Sequence, residues 1–295
     1  MTIGFIGFGG AAYGITKGLK EDGFGDVCFF DPLWNAVPQG DAIRRHAIET
    51  GAIFKKSIDL LIKDSDIVIS SVTGSAAQAV AEQASLFLKP RHLFVDVNTA
   101  SPRLMESVGE LVQRSGAAFV DAALLGGIPA FLHRVPCLAS GDGAERFREM
   151  MTPFGMDITC IGEKPGQASA IKMFRSVFMK GFLALLMEML NGTHRFQVDS
   201  LVLGSIAKTM EKNSFVETVR LQMAKGVINA ERMSDEMEAV VDMYAEMGLS
   251  STMAAAAREK LEWCSKMNLR EHFGGDSPDS LDEILDIIEE KSLTA

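Results

Sequence analysis

A short apolar run at the start of the chain leads directly into Gly7-Phe8-Gly9-Gly10-Ala11-Ala12, and helix-forming residues follow. Strand, glycine turn and helix in that order suit a bound pyrophosphate. Gly7 permits the tight turn, Gly9 lets the backbone approach the phosphates, and Ala12 fills the third small position. Free N–H groups and the helix dipole favour anions at such a helix start. Gly7, Phe8, Gly9, Gly10, Ala11 and Ala12 are therefore the candidate dinucleotide turn. The next strand, Val27-Cys28-Phe29-Phe30-Asp31, ends in an acid at about the 20-residue offset that ribose recognition needs. Asp31 can accept from ribose hydroxyls and would repel a 2′-phosphate. No arginine lies between it and Asp41, so NAD is expected over NADP. Trp34 is a candidate adenine-side aromatic, and Val72, at the end of a strand over 66–72, joins the same rim.

Two further strand ends and one helix carry chemistry. Ligands of open α/β sheets bind beyond the carboxyl ends of the strands. Asn98 and Thr99 end the run Phe94-Val95-Asp96-Val97 and are placed to touch nicotinamide or substrate; turn and cap chemistry is the alternative. Gly126 and Gly127 follow the run 117–121 and its extension, where bare backbone N–H groups could hold a carboxylate. Lys172 lies on an apolar helical stretch, with Arg175 and Ser176 on the same face at i+3 and i+4. A lysine so placed can exchange protons with a substrate, or it can simply snorkel to water. No GxxxxGK[ST], HExxH or GxSxG is present, and the five histidines are scattered, so no metal is expected.

These residues need elements to position them. Strand signals at 2–7, 26–30, 66–72, 92–97, 117–121, 135–140 and 156–161 alternate with helix signals near 11–22, 40–50, 75–87, 102–115 and 144–152. That alternation predicts an α/β Rossmann-like N-terminal domain with a doubly wound, mostly parallel sheet over 1–163. Ser57 can cap a helix at 58–63; Ser101 and Pro102 suit the start of 102–115. Beyond Pro165 strand signals fade and helices are expected at 166–192, 199–211, 214–227, 230–247, 251–267 and 279–292, an all-α C-terminal domain over 164–295. The length of 295 residues fits two domains. A 47% hydrophobic, 23% charged composition argues against disorder. The net charge of -10 disfavours nucleic acid and anionic membranes as partners. Glu188, Arg175 and Lys180 interrupt the apolar run 173–190 too often for a membrane span. Four dispersed cysteines and no basic, apolar leader predict a cytoplasmic protein.

Together these segments resemble the β-hydroxyacid dehydrogenase family, whose relatives include 3-hydroxyisobutyrate and 6-phosphogluconate dehydrogenases. Gly7, Gly9 and Ala12 match its cofactor turn; Asp96, Asn98 and Thr99 match its D-x-S-T segment; Gly126 and Gly127 match its substrate loop; Gly166 and Lys172 match the helix that carries its catalytic lysine. The resemblance implies NAD(P)-dependent hydride transfer on a hydroxy acid, Lys172 as general acid/base, and a homodimer. Leu125, Arg175, Ser176 and Ala168 depart from the family pattern. Leu125 removes a carboxylate contact, and Arg175 could replace it with a two-point clamp on an anionic substrate. Oxidative decarboxylation, NADPH-dependent imine reduction and non-catalytic dinucleotide binding are the alternatives. Imine reductases usually replace the lysine and prefer NADPH, so Lys172 and Asp31 speak against that reading.

Overall fold

A computed structural model describes residues 1–292. Eight strands form one sheet: β1 (Thr2–Ile6), β2 (Asp26–Phe30), β3 (Ile53–Phe54), β4 (Ile67–Ser70), β5 (Leu93–Asp96), β6 (Ala118–Leu124), β7 (Cys137–Ser140) and β8 (Ile158–Gly162). Their spatial order is β3-β2-β1-β4-β5-β6-β7-β8. The first six are mutually parallel, and the chain order reverses direction at β1, between β2 and β4. A crevice at the carboxyl ends of β1 and β4 is the expected ligand position. β7 pairs antiparallel with β6, and β8 runs parallel to β7. The segment 125–136 that joins β6 to β7 contains only short helical turns, so the chain returns alongside β6 in the opposite direction. Helices α1 (Gly10–Glu21), α2 (Gln39–Thr50), α3 (Ile58–Lys63), α4 (Ala77–Ser85), α5 (Pro102–Arg114), α6 (Ile128–Phe131) and α7 (Ala144–Met151) link the strands.

The period-2 alternation of each strand sends neighbouring side chains to opposite faces. Ile3, Phe5, Phe29, Ile69 and Val95 join one apolar cluster with α1. Ile6, Cys28, Val68 and Phe94 join a second cluster with α3, α4 and α5. Both faces are therefore covered, as a parallel sheet requires. Gly4 makes this possible beside α3, because a Cβ there would overlap Ser65 and Leu61. Ser101 caps α5 as its sequence suggests, accepting from Leu104 N at 3.2 Å with Pro102 in the first turn. Ser57 occupies the N-cap of α3 without a side-chain bond.

The rest of the chain is helical: α8 (Gln167–Phe196), α9 (Asp199–Met210), α10 (Phe215–Glu246), α11 (Thr252–Ser265), α12 (Leu269–His272) and α13 (Leu281–Ser292). The two helices expected at 214–227 and 230–247 are the two arms of α10, which meet at a kink at Asn229, whose φ of -115° and ψ of 18° are non-helical. Asn229 Nδ2 donates to the Lys225 carbonyl at 2.9 Å, satisfying an acceptor beside the break. Val227, Ile228, Met267, Leu269 and Ile284 form a core that seals α10 against α12 and α13. The chain divides into two compact units, Met1–Val177 and the residues from Phe178 onward, and the division falls within α8. Among the described residues, no helix is long and apolar enough to cross a membrane.

Candidate functional site

The glycine turn is built for close approach. Gly7 has φ +87°, and a Cβ there would overlap the Ser71 carbonyl and crowd Val72. Gly9 and Gly10 face open space, and among the described residues no side chain caps the start of α1. The first-turn N–H groups of α1 thus point into a bare cradle that the pyrophosphate of a dinucleotide fits. Ala12 is fully buried, which keeps α1 close to the sheet. Phe8 serves this cradle from below: its ring is buried and stacks on Phe29 at 4.2 Å between centroids.

Asp31 is a pinned carboxylate, not a solvated loop acid. Oδ2 accepts from Phe8 N at 2.8 Å and Oδ1 from Leu33 N at 2.9 Å. Each oxygen keeps a lone pair for a ribose hydroxyl. Trp34 stacks on Phe54 at 4.5 Å and meets the edge of Phe29, so it packs against the sheet core. Arg44, 13 residues beyond Asp31 in the sequence, donates to the Trp34 carbonyl and braces this loop.

Asn98 braces the opposite side of the turn. Its Oδ1 accepts from Val72 N at 2.7 Å, and its Nδ2 donates to Ser70 Oγ at 2.8 Å and Asp96 Oδ2 at 2.9 Å. Both amide hydrogens are spent on the protein, so Asn98 acts by fixing Val72 beside Gly7. Thr99 is exposed on the same loop. Asp96 lies under this network and opposite Asp121 in the sheet register. Burial pushes the Asp96 carboxyl up to about 6; hydrogen bonds from Asn98 and Ser70 pull the other way, and the Asp121 charge adds to the rise.

A residue whose role the sequence did not reveal organises the lysine helix. Asp121, buried in β6, accepts from Gly166 N and Ser169 N at 3.0 Å each, from Ser169 Oγ at 2.7 Å and from Ser140 Oγ at 3.3 Å. Ser140 Oγ in turn accepts from Ala168 N at 3.1 Å. A carboxylate at a helix N-terminus gains from the dipole and from charge-assisted bonds. Gly166 has φ +91°, and a Cβ there would crowd the Pro102 carbonyl, so glycine is required where α8 begins. Lys172 is half-buried one turn beyond Ser169, with Ser176 half-buried and Arg175 exposed on the same face. Among the described residues, no carboxylate pairs with Arg175, which leaves its guanidinium available to an anion. The Lys172 charge reaches the buried Cys137 thiol, which burial nevertheless pushes up to about 12.

Gly126 and Gly127 are exposed at the end of β6, and Leu125 beside them is half-buried. Leu125 N donates to the Pro136 carbonyl at 2.7 Å, closing the base of this loop. Among the described residues, no group of three or more His, Cys, Asp or Glu side chains could hold a metal.

Two outcomes follow from this network. Asp121→Asn turns one acceptor arm into a donor facing N–H groups, so urea unfolding should show a loss of about 3 kcal/mol, against about 1 kcal/mol for Ser140→Ala. Asp96 has a folded pKa above its unfolded one, so its contribution to stability is complete below about pH 4 and is lost as pH rises through about 6. The melting temperature of the wild type should fall over that window relative to Asp96→Asn; parallel profiles would contradict the raised pKa.

Comparisons with known proteins agree with this geometry. Residues 2–162 match the NAD binding domain of 6-phosphogluconate dehydrogenase, and residues 193–264 match a domain of unknown function, DUF1932. A conserved hypothetical protein from Sinorhizobium meliloti is 30% identical, with 89% of this chain and 87% of that one covered and a TM-score of 0.61. The mitochondrial 3-hydroxyisobutyrate dehydrogenase of Drosophila melanogaster is 25% identical over 69% of this chain and 62% of its own. An imine reductase from Myxococcus stipitatus, in complex with NADP+, shares the fold at 16% identity and TM-score 0.75, covering 98% and 100% of the two chains. With its NAD-binding domain match spanning more than half its length, the chain belongs to the 6-phosphogluconate dehydrogenase-like family, as a divergent β-hydroxyacid dehydrogenase relative.

Proposed function

We propose that this protein is an NAD-dependent oxidoreductase that interconverts the alcohol and carbonyl forms of a small anionic hydroxy acid. The observation that carries this reading is the Asp121-anchored start of α8, which presents Lys172, Ser176 and Arg175 on one face of a unit that also holds the glycine cradle. The cradle and Asp31 would hold the dinucleotide, which supplies the hydride acceptor when bound. NAD is favoured over NADP because a 2′-phosphate beside the Asp31 carboxylate would bring two negative charges together. During oxidation the hydroxyl proton passes to neutral Lys172 Nζ as the carbinol carbon loses hydride and the C=O bond forms. During reduction the ammonium returns that proton to the carbonyl oxygen. Ser176 would orient the hydroxyl. Arg175 and the N–H groups of Gly126 and Gly127 would hold the acid group, in place of the contact that Leu125 cannot make.

A second copy of the chain is the proposed partner. Met187, Leu201, Phe215 and Val216 are each more than half exposed in the helical unit, and apolar surface on this scale marks an interface. We place the protein in the cytoplasm, consistent with four free cysteines.

Lys172→Ala should lower turnover of the active hydroxy acid at least 1,000-fold, in line with the upper range for a lost general acid/base, while NADH affinity stays within a few-fold. Retained turnover in Lys172→Ala would refute the assignment. Arg175→Ala should raise KM about tenfold with kcat little changed; an unchanged KM would remove the clamp. Light scattering should give twice the chain mass, and Leu201→Glu with Val216→Glu should give the monomer; a monomeric wild type would contradict the interface.

A further inference from the structure

Directly after the Gly126-Gly127 turn the chain doubles back over α1, and its contacts there go beyond packing. His133 is 2% exposed, and its Nε2 lies 2.8 Å from Asp22 Oδ2. Asp22 caps the carboxyl end of α1. Arg134 Nη2 donates to both oxygens of the same carboxylate, at 2.8 and 2.6 Å. Burial would raise the Asp22 carboxyl, but His133 and Arg134 together hold it below the ordinary value. The other ring nitrogen of His133, Nδ1, is buried and has no hydrogen-bond partner among the described residues. The polar hold of this ring therefore rests on its one bond to Asp22.

The backbone of α1 is cut away to receive the segment. A Cβ on Gly14 would overlap Ile128, and one on Gly18 would overlap the His133 ring. Between these two contacts Leu132 has φ 52° and ψ -129°, a conformation that L side chains rarely adopt. A strained residue persists only where its surroundings over-determine it. Here the surroundings are the closed base at Leu125–Pro136 and the far anchor at Asp22. The same helix that offers its N-terminus to the cofactor phosphates thus carries, at its other end, the anchor of the neighbouring loop.

We propose that Asp22 and His133 form a latch on α1 that positions the anion-binding turn Gly126-Gly127. Asp22 and His133 are positioning residues and touch no ligand. The anion role of Gly126-Gly127 rests on the function proposed above, whereas the latch itself does not.

The test uses the full chain with His133→Leu, Asp22→Asn and His133→Gln, the last of which can place an amide N–H where Nε2 lies. Hydrogen exchange of the peptide 125–134 reads the latch directly. Malonate, titrated into the NADH-saturated protein, reads the anion site. His133→Leu and Asp22→Asn should speed exchange in 125–134 at least tenfold and weaken malonate about tenfold. NADH affinity should stay within twofold, and His133→Gln should restore both values to within threefold. Unchanged exchange would overturn the latch. So would a loss of NADH affinity in step with malonate, or a glutamine variant that behaves like leucine, since both describe general loosening. If malonate fails to bind the wild type, the anion reading of Gly126-Gly127 falls, and the exchange measurement still decides the latch.

Discussion

The Asp121 carboxylate is the interaction on which the rest of the candidate site depends. It is buried in β6, and isolated charge in such a place would be costly. Four hydrogen bonds offset that cost: two backbone N–H groups at the start of α8 and the hydroxyls of Ser169 and Ser140. The arrangement fixes the first turn of α8 to the sheet, and with it the height and rotation of Lys172 one turn later. Proton transfer tolerates little positional error. A flexible lysine gains its precision from the helix beneath it, and that helix gains its own from a strand residue 51 positions earlier in the sequence.

The cofactor side is held by a different device. Asn98 ties β5 to Val72, Val72 crowds Gly7, and Asp31 accepts from the turn itself at Phe8. The carboxyl ends of β1, β2, β4 and β5 are thereby locked before any ligand arrives. Glu188 repeats the remote-cap device in the helical unit, where its two oxygens accept from Met253 N and Ala254 N at 2.8 Å at the start of α11. Its presence in an apolar run reflects that structural duty.

Local signals made much of this legible. The glycine turn, the acid at the end of β2, the alternating strands and the capped α5 are each set by residues within a few positions of one another. The long α8 follows from those patterns. What escaped reading depended on distant partners. β3 is two residues long and lies at the edge, with Ile53 exposed, so its sequence carries no burial period. The reversal at β7 is a tertiary outcome of the short 125–136 connection. Asn98 reads as a ligand contact because it sits at a strand end; only the structure shows its amide spent on Ser70, Asp96 and Val72. Asp121 and His133 look like ordinary polar residues until the helix start and the Asp22 carboxylate are brought to them. The one available hint was an aspartate in the otherwise apolar run Val120 to Leu125.

The central claim is that the bare turn at Gly7 to Ala12, with Asp31 beside it, takes a dinucleotide without a 2′-phosphate. Calorimetric titration of the purified chain with NADH and with NADPH tests it most directly. The account predicts saturable one-to-one binding of NADH at least tenfold tighter than NADPH, with the preference reduced in Asp31→Ser. Tighter binding of NADPH, or no binding of either, would contradict it.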